Sequence, residues 1–230
     1  MQMLYFSGRP DGIGNRIEEL IYIQEYCINN NLQCTYIWNN TNFRNYLPLI
    51  TFDNIDISTT CCNEKFQKNI FQRSPNFNVR YRFNFNIDTN ILYDTIIHIR
   101  ATDRINTRSN HPDNSSTEEL YKFIDKVVQY VNTNSEIRTY TIVSDDSHFI
   151  KYAKENIVKK FISLKYDYAI PTEWLDYYYL TKPQQSIIMC CKFSSYSITA
   201  SILAEKPLLC LKDSSETNLS RYKANVKFIS

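Results

Sequence analysis

A histidine and an arginine at the end of one apolar segment are the residues of this sequence best suited to contact an anion. His98 and Arg100 alternate with Ile97 and Ile99, and this alternation along a strand places the polar pair on one face. A buried arginine is costly without an anionic partner, and its planar guanidinium suits bidentate contact with phosphate. The segment therefore predicts a phosphate contact by Arg100, with an internal Arg100–Asp103 ion pair as the structural alternative.

The glycines of the chain form a second candidate site. There are only three, Gly8, Gly12 and Gly14, and all lie between a predicted first strand and a predicted first helix. Glycine permits positive φ and close backbone approach to a ligand, and a helix N-terminus favours anions. The pattern predicts a phosphate-binding loop, with a plain tight turn as the alternative. The dinucleotide motif G-x-G-x-x-G lacks its third glycine here, since Ile17 follows Gly12-Ile13-Gly14-Asn15-Arg16, and residues 37–40 contain no acid to hold a ribose. Both features disfavour an NAD site.

Two carboxylates form the third candidate. Ser144, Asp145 and Asp146 directly follow a predicted buried strand and open a predicted helix. Carboxylates at this place could accept hydrogen bonds from a nucleobase or from ribose hydroxyls. The alternative is an ordinary helix N-cap, for which Asp is among the preferred residues.

A run of small hydroxyl residues is the fourth. Phe193-Ser194-Ser195-Tyr196-Ser197 lies between a predicted strand and a predicted helix. Hydroxyl and backbone N–H groups at a helix start can donate together to a phosphate. A simple serine N-cap is the alternative reading of the same run.

The elements that must position these residues alternate between strands and helices. Residues 4–6, 15–29 and 33–38 predict a β-α-β unit, and Ser116 with Glu119 matches a capping box that opens an amphipathic helix. Such alternation predicts an α/β fold with parallel sheets, whose ligands bind at the carboxyl ends of the strands. The further predictions are helices near 41–48, 60–72, 147–158, 172–180 and 195–204, an extended segment at 79–85, and strands at 96–99, 139–143, 161–164, 186–189 and 208–211.

Composition narrows the class of protein. The 230 residues carry a formal net charge of only +2, which gives no electrostatic reason to expect nucleic acid as a partner. The N-terminus lacks the features of a signal peptide and no apolar run approaches a membrane span, so we expect a cytoplasmic protein. Seven cysteines without a CxxC spacing predict reduced thiols and no structural zinc.

Together the four segments resemble the fucosyltransferase superfamily, which includes α-1,2-, α-1,6- and protein O-fucosyltransferases. The resemblance lies in the order of the segments and in their position at strand ends. The matched peptides are Gly12-Ile13-Gly14-Asn15-Arg16 with G-x-G-N-[QR], residues 98–103 with H-x-R-R-x-D, residues 143–146 with [TS]-D-D, and residues 193–197 with a serine-rich helix start. Ala101 stands where the family has its second arginine.

The resemblance implies a GT-B fold, with two Rossmann-like halves at residues 1–90 and 91–230 and a nucleotide cleft between them. It implies GDP-fucose as donor, a glycan as acceptor, inversion at the anomeric carbon, and no metal or other cofactor. Arg100 would contact the β-phosphate and His98 would lie near the nucleoside. The remaining binding residues implied are Gly12, Gly14, Asn15, Arg16, Ser144, Asp145, Asp146, Phe193, Ser194, Ser195, Tyr196 and Ser197.

The implied reaction requires groups that stabilise negative charge on the leaving phosphate. Breaking a glycosyl–phosphate bond leaves negative charge on phosphate oxygens, and a metal-free enzyme must meet it with arginine and helix N–H groups. The sequence contains no DxD metal signature. Asp103 and Asp11 are the candidate bases for the acceptor hydroxyl. A GT-B transferase that uses another nucleotide sugar, and a non-catalytic module that only binds one, remain as alternatives.

Overall fold

The computed structural model describes residues 3–40, 47–60, 66–67, 78–87, 90–101, 105, 114–212, 219 and 225–229. The chain divides into two compact units, Met1–Ile87 and Asp88–Ser230, which we call the first and second units. Each unit has a six-stranded sheet of its own. Among the helices in the described part of the chain, none is long and apolar enough to cross a membrane.

The first unit opens with the predicted β-α-β arrangement. Its sheet has the order β5-β1-β2-β4-β3-β6, in which β1 pairs in parallel with β2 and β5, and β2 pairs in parallel with β4. The pairs β3–β4 and β3–β6 are antiparallel, so the sheet is parallel over four strands and mixed at one edge. The elements are β1 (Met3–Ser7), α1 (Ile13–Asn29), β2 (Gln33–Ile37), β3 (Ile50–Phe52), β4 (Ile55–Ser58), β5 (Phe66–Gln67) and β6 (Tyr81–Phe83).

Two predicted helices of this unit are not observed where the structure describes the chain. Residues 47–48 are not helical and β5 lies within the predicted helix 60–72, while 41–46, 61–65 and 68–72 lie outside the described residues. The β3–β4 hairpin was not predicted from the sequence. Its turn uses Asn54, whose φ of 65° is a left-handed value that asparagine tolerates better than most residues.

A disulfide joins the end of α1 to the second residue of β2. The sulfur atoms of Cys27 and Cys34 lie 2.15 Å apart, so the expectation of reduced thiols is wrong for this pair. The seven-residue spacing of these cysteines matches no disulfide or metal motif, because the bond crosses a turn between a helix and a strand. Cys190 and Cys210 are buried free thiols as expected, and Cys191 is buried as well. Cys61 and Cys62 lie outside the described residues.

We expect the Cys27→Ser/Cys34→Ser double variant to lose about 2–3 kcal/mol of unfolding free energy, since the crosslink closes a short loop in the unfolded chain. Denaturant titration of both proteins, with and without reductant, measures this loss. Reductant should weaken the wild type by a similar amount and leave the double variant unchanged. A wild type that is insensitive to reductant, and no more stable than the variant, would contradict the disulfide.

The second unit has a doubly wound parallel sheet. Its order is β12-β11-β10-β7-β8-β9, and all five strand pairs are parallel. The elements are β7 (Thr95–Ile99), α2 (Thr117–Thr133), β8 (Thr139–Ser144), α3 (Ser147–Asn156), β9 (Lys160–Phe161), α4 (Thr172–Leu180), β10 (Ser186–Cys190), α5 (Ser195–Ala204), β11 (Leu208–Leu211) and β12 (Val226–Ile229). From β9 the chain returns to the other side of β7, so the topological switch point lies between β7 and β10.

Apolar burial and one cap explain why the second unit was predicted well. Strand β7 is buried at all five positions, as expected for a strand covered on both faces. Ser116 accepts a hydrogen bond from the Glu119 backbone and Glu119 accepts one from the Ser116 backbone, at 3.0 and 2.8 Å, which confirms the capping box. The α2 side chains that pack on the sheet are the predicted ones, Leu120, Phe123, Ile124, Val127, Val128 and Val131.

Candidate functional site

The candidate residues of the second unit lie at or just after the ends of strands that finish at the same edge of its sheet. In the register of the parallel strands, Ile99 of β7 lies opposite Cys190 of β10 and opposite Ser144 of β8. The loops that follow these three strands therefore begin side by side. In an open α/β sheet, ligands bind at this carboxyl edge and at the switch point, here β7–β10.

His98 links strand β7 to the start of α5, the helix that follows β10, across the switch point. Its imidazole is almost fully buried, and its Nδ1 shares a hydrogen bond of 2.5 Å with Ser197 Oγ in the first turn of α5. The ring also lies 5.4 Å from the Tyr196 ring. Ile97 and Ile99 pack instead with the α2 side chains, so the predicted alternation is confirmed for His98 against the two isoleucines, and the face of Arg100 stays a prediction.

Arg100 directly follows β7 and is half-buried. The next residue, Ala101, is fully buried in the same core cluster as Ile97 and Ile99. An arginine at position 101 would bring a charge into this hydrocarbon cluster at high cost, which is a physical reason for alanine at this position. Asp103, the other catalytic candidate, lies outside the described residues.

Both carboxylates that follow β8 accept hydrogen bonds from backbone N–H groups. Asp145 Oδ1 accepts a hydrogen bond of 2.8 Å from the Ala101 backbone N–H, which ties the loop after β7 to the loop after β8. Asp146 is the N-cap of α3, and its Oδ1 accepts from the His148 N–H at 2.8 Å. Ser144 Oγ accepts from the Asp146 N–H at 3.1 Å. These bonds support the capping alternative for Asp146, and the ligand role of the three residues stays a prediction.

The serine-rich segment forms the start of α5. Ser194 is the N-cap, and its hydroxyl accepts from the Ser197 N–H at 3.5 Å. The first turn of α5 contains no acidic residue, so its N-terminal dipole is not offset locally and favours an anion. Four side chains of this segment are buried in the protein, those of Phe193, Ser194, Ser195 and Ser197. Phosphate contact here would therefore rely mainly on backbone N–H groups.

Helix α4 holds the start of α5 in place. The Tyr196 hydroxyl donates to the Glu173 carbonyl, and the Tyr177 hydroxyl donates to Thr199 Oγ1 at 2.9 Å. The Tyr177 and Tyr196 rings pack edge to face at 4.9 Å. Burial raises the pKa of the Tyr196 phenol well above its usual value, so it remains a neutral donor.

A carboxylate of α4 belongs to this region and was missed in the sequence. The pKa of Asp176 is raised to about 6: burial is the largest cause, the charges of Glu173 and Asp145 act in the same direction, and the hydrogen bond from Tyr166 acts against them. The Tyr166 hydroxyl donates to Asp176 Oδ1 at 2.7 Å. A perturbed carboxyl at a sheet edge is a feature of functional sites, but its signal arises from tertiary packing and no local motif could have revealed it.

The glycine loop of the first unit is built differently from the expectation. None of its glycines has a positive φ. Gly12 is the N-cap of α1 with a φ of −63° and Gly14 lies in the first turn of that helix. The conformational reason given for these glycines is therefore wrong, and the demanding position is Gly8, where space is the constraint.

Asn15 and Arg16 direct their polar groups into the protein. Asn15 Nδ2 donates to Asp11 Oδ2 at 2.5 Å. Arg16 is fully buried, with Nε donating to the Asp11 carbonyl at 2.7 Å and Nη1 donating to Asn40 Oδ1 at 2.9 Å. Its guanidinium also lies 4.7 Å from the centre of the Trp38 ring. These contacts support the tight-turn alternative for the loop, and its ligand contacts stay predictions.

A charged cluster holds the beginning of this loop in place. Arg9 Nε and backbone N–H donate to the Glu19 carboxylate at 2.9 and 3.0 Å, and Arg9 Nη2 donates to Glu18 Oε2 at 3.3 Å. The Tyr36 hydroxyl donates to Glu19 Oε2 at 2.6 Å. Burial, followed by the Glu19 charge, raises the pKa of Tyr36 well above its usual value, so Tyr36 stays a donor and Glu19 an acceptor.

Among the residues that the structure describes, no three His, Cys, Asp or Glu side chains are grouped so that they could hold a metal ion. Compared with models of protein families, the sequence matches none of them. A search of curated proteins likewise finds no match. The fold and the geometry of the sheet edge therefore form the structural basis for a functional proposal.

Proposed function

We propose that the chain is a metal-independent glycosyltransferase of the GT-B type, which transfers L-fucose from GDP-fucose to a glycan hydroxyl with inversion. The observation that carries the proposal is the hydrogen bond that joins His98, two residues before Arg100, to the start of α5 at the switch point of the second sheet. Doubly wound sheets bind nucleotides at this place. The motif resemblance supplies the identity of the nucleotide and the sugar.

The proposed chemistry uses Arg100 and α5 on the leaving nucleotide. The acceptor oxygen attacks the anomeric carbon, the bond from that carbon to the β-phosphate oxygen breaks, and GDP leaves with the electron pair. Arg100 and the first N–H groups of α5 stabilise the charge that develops on the phosphate. The acceptor proton passes to a base, for which Asp103 remains a candidate.

Asp11, the other candidate base, is already engaged in the first unit. Its Oδ1 accepts from the Gly12 N–H at 2.8 Å and its Oδ2 accepts from Asn15. Both carboxylate oxygens of Asp11 are therefore already engaged within the first unit. These contacts favour Asp103 over Asp11 within the proposal.

We expect GDP to raise the melting temperature more than UDP, CDP or ADP, and EDTA to leave the effect unchanged. At a GDP concentration of 100 times Kd the stabilisation should be about 2.7 kcal/mol. A thermal-shift series over the four nucleotides, with and without EDTA, measures this preference. A larger shift with UDP would favour a transferase for another nucleotide sugar, and an effect abolished by EDTA would contradict metal independence.

Turnover separates the transferase from a module that only binds a nucleotide sugar. A transferase should slowly hydrolyse GDP-fucose when water takes the place of the acceptor, and a binding module should leave it intact. Release of GDP from GDP-fucose, followed over hours against a control with Arg100→Ala, distinguishes the two.

A cytoplasmic location belongs to the proposal and meets one opposing observation. Disulfides persist mainly in oxidising compartments, and Cys27–Cys34 is a disulfide. Thiol labelling during lysis of the native cells would show whether this pair is oxidised there.

A further inference from the structure

We propose that Asp176, aligned by Tyr166, binds the adjacent hydroxyl groups of a ribosyl or glycosyl ring. The ribosyl source rests on the proposed function, since it requires a nucleotide at the edge of the second sheet. Neither residue belongs to the motifs that carry the family resemblance.

The position of Asp176 beside the start of α5 is the first argument. Its neighbour Tyr177 bonds Thr199 of α5, and the Tyr196 hydroxyl donates to the Glu173 carbonyl one turn earlier on α4. Asp145, at the end of β8, is close enough to influence the Asp176 charge. The carboxylate therefore lies at the edge where the loops after β8 and β10 begin.

The remaining hydrogen-bonding capacity of Asp176 is the second argument. A carboxylate can accept about four hydrogen bonds, and among the described residues Asp176 accepts one, from Tyr166. No lysine or arginine of the described chain forms an ion pair with it. By contrast, Asp145 and Asp146, which the sequence suggested for the ribose, already accept backbone N–H groups.

The chemistry of the site defines its ligand. An ionised carboxylate only accepts hydrogen bonds, so its partner must present donors, and two adjacent hydroxyls match its two oxygens. In dinucleotide-binding folds an acidic side chain holds the ribose in this way. Tyr166, whose hydroxyl bonds Asp176, lies on the loop before α4 and has an exposed fraction of 42%. A partly exposed aromatic ring beside a carboxylate suits the apolar face of a hydroxylated ring.

The charged and titratable groups that face Asp176 explain its sensitivity to pH. Tyr166 on the preceding loop, Glu173 on the same helix, Asp145 after β8 and Tyr196 on α5 all interact with it. Burial and the two acidic neighbours raise its pKa to about 6. A ligand that needs the ionised form should therefore bind less tightly as the pH falls through about 6.

This role of Asp176 can be tested by comparing the binding of GDP, 2′,3′-dideoxy-GDP and free L-fucose to the wild type, to Asp176→Asn and to the control Glu173→Gln. The control removes the same charge one turn away on α4. In the wild type, GDP should bind about 10- to 100-fold more tightly than the dideoxy analogue, since a hydrogen bond to a charged group is lost. This ratio should approach one in Asp176→Asn and persist in Glu173→Gln, with melting temperatures confirming that both variants fold.

The outcomes separate this inference from the proposed function. GDP binding with the same ratio in Asp176→Asn would support the nucleotide site and overturn the role of Asp176. Equal binding of the two nucleotides to the wild type would overturn it too, unless L-fucose binding depends on Asp176, which would identify the glycosyl source. If no nucleotide binds, the proposed function fails, and L-fucose binding that is lost in Asp176→Asn would still support the subsite. Absence of both would overturn both.

Tyr166→Phe tests the alignment by Tyr166. Its hydroxyl lowers the pKa of Asp176, so the variant should raise that pKa and move the midpoint of the pH-dependent loss of GDP binding upward. An unchanged midpoint would show that Tyr166 does not position the carboxylate.

Discussion

Turnover should fall about 100- to 1,000-fold in Arg100→Lys, while the melting temperature stays close to that of the wild type. This is the typical loss when one preorganised donor to a developing charge is removed. Lysine keeps the positive charge but lacks the planar fork that contacts two phosphate oxygens. Steady-state turnover of GDP-fucose and thermal unfolding of the same preparations measure both quantities.

A structural role for Arg100 gives a different pattern. If the arginine only pairs with Asp103, lysine should replace it with little loss of turnover. Asp103→Asn should then destabilise the protein about as much as Arg100→Ala, since each leaves one charge without its partner. Ala101→Ser, which changes the neighbouring core position by one hydroxyl, is the control for nonspecific damage to the loop after β7. Unchanged turnover in Arg100→Lys would contradict the transferase proposal.

The second unit was largely predictable because its local signals agree with its tertiary structure. Strands β7 and β10 are apolar throughout and buried at every position, and the Ser116–Glu119 capping box fixes the start of α2. Helical periodicity then gave the buried face of α2 in full. Where the local pattern agrees with the fold in this way, the secondary structure can be predicted from the sequence.

The first unit was less predictable because its short strands depend on their neighbours. Strands β3, β4 and β6 contain three or four residues each, too few for alternation to be distinguished from other patterns. Strand β12, in the second unit, was missed for the same reason: it has four residues, Val226–Ile229, two of them exposed. Pairing with β11, and not its own pattern, stabilises it as a strand.

The candidate site could be predicted only in its parts. The strand ends that carry His98 and Ser197 were identified from apolar runs, but the hydrogen bond between them joins residues 99 positions apart. Asp176 gave no sign in the sequence because its raised pKa comes from burial and from groups on other elements. The contacts of Arg16 also gave no sign in the sequence: the residue is fully buried against Asp11, Asn40 and Trp38, while its predicted ligand contact stays a prediction.

Gly8→Ala should cost about 3 kcal/mol or more of unfolding free energy, at the upper end of what overpacking costs in well-packed interiors. A β-carbon at Gly8 would lie 2.3 Å from Tyr36 Oη, 2.4 Å from Tyr36 Cζ and 2.7 Å from the Ile37 carbonyl oxygen. The Tyr36 ring cannot easily move away, because its hydroxyl is bound to Glu19, which Arg9 holds in turn. The glycine backbone is fixed as well, since its N–H donates to the Ile37 carbonyl at 2.9 Å.

A second substitution tests whether the Tyr36 ring causes the loss. Tyr36→Phe removes the nearest clashing atom and releases the ring from Glu19, so the cost of Gly8→Ala/Tyr36→Phe should be clearly smaller than the sum of the two single costs. Denaturant titration of the four proteins gives the three differences. Additive costs would show that the constraint lies in the Ile37 carbonyl alone. A Gly8→Ala protein as stable as the wild type would show that glycine is kept at this position for a reason other than space.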